Sequence, residues 1–141
     1  MAATRTASAH WEGSLLEGKG RVSLESSGVG SYDVSWPART EEPNGVTSPE
    51  ELIAAAHSTC YSMSLSNLLT KAGHTVETID TSADVTFQPG QGITGIRLST
   101  RGAVPGLSAD EFADFAEQAK TACPVSQALT GTTITLEAAL A

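Results

Sequence analysis

Cys60 and Cys123 have the richest chemistry open to them, and they are the only two cysteines in a chain of 141 residues. Their wide separation excludes a CxxC redox motif and the close ligand doublets of a zinc knuckle. A joint role therefore requires the fold to bring them together. A thiol attacks as its thiolate, and a free cysteine with a pKa near ~8.5 is only about 3% thiolate at neutral pH. Cys60 falls midway along an expected helix, beyond the useful reach of the helix dipole, so activating it calls for a nearby cation. Arginine suits that task because it stays charged and its planar fork can hold a carboxylate and a sulfur or peroxide oxygen together. Arg39 lies in the segment read as a loop before that helix, and Glu50 lies in the helix's first turn, where it could orient such an arginine. Arg21 is the alternative cation. Glu50 and Cys60 are ten residues apart, roughly 15 Å of helical rise, so the arginine has to bridge much of that gap.

Each of these residues also has a plainer reading. Cysteine is among the most buried residue types, so Cys60 on an apolar helix can be core packing. Cys123 before Pro124 can be a simple N-cap, although a helix start is also where a thiol pKa falls. Glu51 reads as the capping-box partner of Ser48. His57 precedes Cys60 by three residues, shares its helix face, and could pair with it. A zinc site of His57, Cys60 and Cys123 is chemically allowed but lacks a fourth ligand at motif spacing. Trp11, Trp36, Phe112 and Phe115 read as core or interface residues.

The elements that must position these groups are legible from pattern. Alternating runs at His10–Glu12, Arg21–Glu25 and Ser31–Trp36, separated by Gly18, Gly20, Gly28 and Gly30, predict an antiparallel meander that Pro37 closes. Ser48 as N-cap, Pro49 at the first helical position and Glu51 after them open a helix that Gly73 stops. Asp84–Phe87 and Ile96–Ser99 flank Pro89-Gly90-Gln91-Gly92, which predicts a hairpin. Ser108 and Glu111 form a second capping box, Phe112, Phe115, Ala116 and Ala119 fall on one helix face, Pro124 breaks or restarts that helix, and Ile134 and Leu136 mark a closing strand. With no repeat or linker, one α+β domain over residues 1–141 is the economical reading. The first long helix is small or apolar on nearly every side from Leu52 to Leu69, which points to a homodimer that covers it all round.

Composition narrows the function classes. A net charge of −8, with 8 basic against 16 acidic residues, repels phosphate backbones and argues against nucleic acid. No span is apolar enough for a membrane, and the start lacks a signal-peptide run, so the expected compartment is the cytoplasm, where a disulfide is more often transient and catalytic than structural.

Pro49-Glu50-Glu51-Leu52-Ile53-Ala54-Ala55-Ala56-His57 running into Cys60, then Thr121-Ala122-Cys123-Pro124-Val125-Ser126, with an arginine upstream, resembles the OsmC/Ohr family of organic hydroperoxide reductases. The Glu-Glu-Leu-Ile run and the Ala56-His57 step are more similar to its OsmC branch. The resemblance implies an intertwined homodimer with antiparallel sheets wrapped around central helices and active sites at the subunit interface. It also implies roles: Cys60 as the peroxidatic nucleophile, Cys123 as the resolving thiol, and Arg39 with Glu50 as the pair that activates the thiolate and binds peroxide. No cofactor or metal is called for. The implied partners are an organic hydroperoxide and a dithiol reductant of lipoyl type.

Overall fold

The computed structural model describes all residues 1–141 and divides into two compact units, residues 1–52 and 53–141. The first unit holds a three-stranded antiparallel sheet of β1 (Ser8–Glu12), β2 (Lys19–Ser23) and β3 (Ser31–Val34), in that order. The meander is as expected, but the third strand stops at Val34. Ser35 caps a short helix, α1 (Trp36–Thr40), its hydroxyl accepting the Ala38 amide at 3.2 Å. Arg39 therefore stands on a helix, not in a loop. The Ser-x-Pro start was the available signal, since serine and proline favour the cap and first turn. This sheet is thin: Val22 is its one buried large side chain, while Trp11 and Tyr32 stay exposed.

The long helix α2 (Pro49–Lys71) begins where capping chemistry placed it. The Ser48 hydroxyl accepts the Glu51 amide at 3.2 Å. The Glu51 carboxylate takes the Thr47 hydroxyl instead of completing the box. The helix ends in a Schellman arrangement, with the amides of Gly73 and His74 donating to the carbonyls of Thr70 and Leu69; Gly73 adopts φ +90°, a left-handed conformation that glycine tolerates best.

In the second unit β4 (Thr78–Gln88) and β5 (Gly92–Ala103) form the expected hairpin, joined by β6 (Ile134–Leu140) in the order β4-β5-β6. One ladder departs from the antiparallel expectation: β6 runs parallel to β5. The reason is the connection, because α3 (Ala109–Ala122) and α4 (Pro124–Ala128) carry the chain back across the sheet before β6 starts. The Ser108–Glu111 capping box is complete. Its helix buries Phe112, Ala116 and Ala119 in one stripe, and at Gly102 an added Cβ would lie 2.8 Å from the Phe112 ring. Tyr61, Leu65 and Leu69 of α2 meet this stripe and Leu98, with Cys123 in the same core. No helix is long and apolar enough to cross a membrane.

Candidate active site

The α2 stripe that faces the core runs His57, Tyr61, Leu65, Leu69, one residue per turn. Cys60 is the neighbour of Tyr61 at the edge of that stripe and is half-buried, packed against the core. Cys123 continues the buried stripe of α3 by one turn and is fully enclosed at 0% exposure. The Tyr61 hydroxyl, 2.8 Å from the Ala116 carbonyl, ties the two helices together beside the thiols. Residues distant in sequence thus become neighbours, Cys60 packed against the core that encloses Cys123, both as free thiols.

Cys123 ends α3 and caps α4 with Pro124 next, and it makes no regular side-chain capping bond. Burial pushes its thiol up. The amide of Ser126, the Cys60 thiol, the Ser126 hydroxyl and the amide of Val125 together outweigh that and bring it below the ordinary value. Cys60 moves the other way: burial pushes it up most, the Val125 amide opposes this, and the neighbouring Cys123 adds to the rise against a small pull from Ser64. Two thiols in contact titrate as a pair, so the first proton leaves readily and the second reluctantly.

Arg39 and Glu50 form the ion pair expected of them. The guanidinium Nε lies 2.9 and 3.1 Å from the two carboxylate oxygens and a terminal nitrogen adds a contact of 3.0 Å. Glu50 is buried, and the Arg39 guanidinium also stands over the Trp36 ring at 5.8 Å. Such a forked contact to a buried carboxylate fixes the arginine's orientation. Arg21, the alternative cation, instead bonds Asp33 across the β2–β3 ladder at 2.8 Å on an exposed face.

His57 is not bonded to Cys60. Its Nε2 meets the Ser126 hydroxyl at 2.7 Å, and burial holds the ring toward its neutral form. No cluster of three or more His, Cys, Asp or Glu side chains is arranged to hold a metal. Sequence reasoning did not single out Ser126 or the Val125 amide, whose placement depends on where α4 points, or Ser64, one turn beyond Cys60 on α2. The Cys-Pro step was the one signal, since it marks a helix start at the thiol. Beyond the last turn of α4 an apolar cavity of about 260 Å³ is lined by Ile53, Ile93, Ile96, Ala128 and Leu129 among others.

The OsmC-like protein family model matches residues 42–137, a span that holds Glu50, Cys60 and Cys123 and begins just after Arg39. Over 124 residues the chain is 47% identical to a protein of Escherichia coli (strain K12) named Peroxiredoxin OsmC, with 86% of each covered. An organic hydroperoxide resistance protein from Elizabethkingia anophelis, solved with thiocyanate bound, shares the fold at a TM-score of 0.74 and 24% identity, covering 100% of both chains. The organic hydroperoxide resistance protein OsmC from Legionella pneumophila does so at a TM-score of 0.73 and 22% identity, over 99% of this chain and 98% of that one. The chain therefore belongs to the OsmC-like family and is an oxidoreductase of the peroxidase type.

Proposed function

We propose that this protein reduces organic hydroperoxides to alcohols through a disulfide between Cys60 and Cys123. One observation carries the reading: a half-buried free thiol packed against the core that holds a fully buried one. The Cys60 thiolate attacks the terminal peroxide oxygen, the O–O bond breaks, and the alkoxide leaves to take a proton as the alcohol, with Cys60 left as sulfenic acid. The sulfur of Cys123 then attacks that of Cys60, forming the S–S bond and releasing water. A dithiol of lipoyl type completes the cycle by exchange, becoming the disulfide as both cysteines return to thiols.

The division of labour follows exposure. Peroxide has access to Cys60, while an enclosed Cys123 meets no oxidant except its neighbour. Because burial pushes the Cys60 thiol up, Cys60 needs a cation when it reacts, and Arg39, held by Glu50, is the group we assign to that role and to polarising the peroxide. The apolar cavity lined by Ile53 and Leu129 supports an organic substrate, since burying an alkyl group gains about 25 cal/mol per Å² and hydrogen peroxide offers no such surface. Exposed Trp11, Tyr32 and Met63 support a homodimer that covers them; light scattering giving a monomer at working concentration would remove that part.

The test is direct. Adding an organic hydroperoxide to the reduced protein should consume both thiols rapidly and yield an intramolecular disulfide. Thiols that persist, or that are lost only to slow air oxidation, would return the cysteines to a packing role.

A further inference from the structure

Helices α2 and α4 lie side by side with opposite chain directions, and three sets of neighbours fix their register. Cys60 packs against the core that encloses Cys123, the His57 Nε2 meets the Ser126 hydroxyl at 2.7 Å, and Ile53 shares the wall of the apolar cavity with Leu129. Each step toward the start of α2 is thus matched by a step toward the end of α4. The thiols stand at one end of this seam and the cavity at the other.

The register supplies a distance. Ile53 and Cys60 are two helical turns apart on the same side of α2, which places the cavity about 10 Å along the helix from the reacting sulfur. Since three bonds of extended chain reach about 3.5 Å, roughly eight bonds span that gap. Ala56, which borders the line on its outer side, is small and exposed, and His57 on the inner side is turned into the core. Neither side chain blocks it.

The wall of the cavity sets what can enter. Ile53, Ile93, Ile96 and Leu129 are aliphatic, and the one polar side chain, Thr132, donates its hydroxyl to the Ile93 carbonyl at 3.2 Å. No charged group stands there to meet a carboxylate, whose unpaired burial is costly. At about 260 Å³ the cavity is smaller than the roughly 300 Å³ at which pockets for drug-sized ligands begin, so it holds only a few carbons. Gly131 also lines it. Its φ lies outside the left-handed region and an added Cβ would meet no atom within 4 Å, so a larger residue fits there without strain.

We infer that this cavity receives the methyl end of an unbranched alkyl hydroperoxide whose oxygens lie at Cys60, and that Leu129 and Gly131 set the chain length accepted. The inference rests on the proposed peroxide cycle and names its substrate class. Counting from the reacting oxygen, about seven carbons are needed before the chain reaches the cavity. The far end of the chain is uncharged.

The experiment is a chain-length series. Primary n-alkyl hydroperoxides from butyl to tetradecyl are supplied with one fixed dithiol, and kcat/KM is measured for the parent, Gly131→Val and Leu129→Ala. A buried methylene is worth about fourfold, so kcat/KM should stay nearly level up to about six carbons, climb about fourfold per carbon over the next few, and level off once the cavity is full. Gly131→Val, which fills part of the space, should end the climb at a shorter chain, and Leu129→Ala, which deepens it, at a longer one. A carboxylate at the far end of a chain of matching length should forfeit the climb. A smooth rise with no break, or a break at the same length in all three proteins, would overturn the inference. Should Leu129→Ala fail to fold, Gly131→Val against the parent carries the comparison. Calorimetric binding of n-alkanols to the Cys60→Ser protein reads the same break without peroxide chemistry. Failure of the peroxide cycle looks different: no hydroperoxide of any length then oxidises the thiols, while alkanol affinity still breaks at that length and shifts in Gly131→Val.

Discussion

Cys60 lies in the middle of a 23-residue helix, where every backbone amide is already engaged and the dipole is distant, whereas Cys123 stands at the junction of two helices, where the first amides of α4 are unspent. The first thiol is the more accessible and is pushed toward its protonated form; the second is enclosed and is drawn toward its thiolate. Accessibility and ease of ionisation thus favour different sulfurs. If Cys60 is the nucleophile and Cys123 the resolving thiol, as proposed, the accessible sulfur is the one that needs help from a cation and the enclosed one is shielded from oxidant.

The largest effect that could break this contrast is on turnover. Cys60→Ser should abolish peroxide reduction. Cys123→Ser should consume about one equivalent and then stall as sulfenic acid or over-oxidise. A Cys60→Ser protein that still turns over would reverse the roles, as measured by peroxide consumption per protein. The next largest concerns the cation. Arg39→Ala should slow peroxide attack at neutral pH on the order of a hundredfold, the scale on which one preorganised charge-stabilising group acts. Partial recovery is expected at alkaline pH, where Cys60 ionises unaided. Retention of the parent pH profile by single-turnover kinetics would exclude Arg39 from the chemistry, and the Arg21→Ala control should leave that profile in place.

Glu50→Gln should cost less, because it loosens the arginine without removing its charge. A fall in rate as large as that of Arg39→Ala would mean that Glu50 touches the reacting atoms itself. The smallest effects are on titration, and their signs must oppose. Cys123→Ser removes the neighbouring ionisable thiol and should lower the Cys60 midpoint, while Cys60→Ala removes its thiol neighbour and should raise that of Cys123. Alkylation rates against pH read the first and thiolate absorbance the second. Shifts of the same sign would show that the two sulfurs do not interact.

Local chemistry in the sequence determined a good deal of this. Ser48-Pro49, Ser108 with Glu111, and Gly73 each carry their structural meaning within a few residues, because caps and stops are satisfied by neighbours in the chain. Alternation along Asp84–Phe87 and Ile96–Ser99 identified the hairpin for the same reason. The residue types and spacing around Cys60 and Cys123 were enough to mark them as the chemical centre and to carry the family resemblance. The choice of Glu50 over Glu51 came from the family resemblance, whose glutamate directly follows the helix-opening proline.

What the sequence left open was decided by contacts between distant segments. Arg39 and Arg21 are both arginines near strands; only the fold sets one on a buried carboxylate and the other on exposed Asp33. His57 could face Cys60 or the core, and a difference of one helical face turns it to Ser126. The parallel pairing of β6 depends on two helices returning the chain across the sheet. Above all, the opposite pKa directions of the two thiols depend on burial and on Cys60 and Cys123 meeting from distant parts of the chain. Electrostatics acts through space over a few ångströms, and only tertiary structure determines which groups, remote in the chain, come within that range.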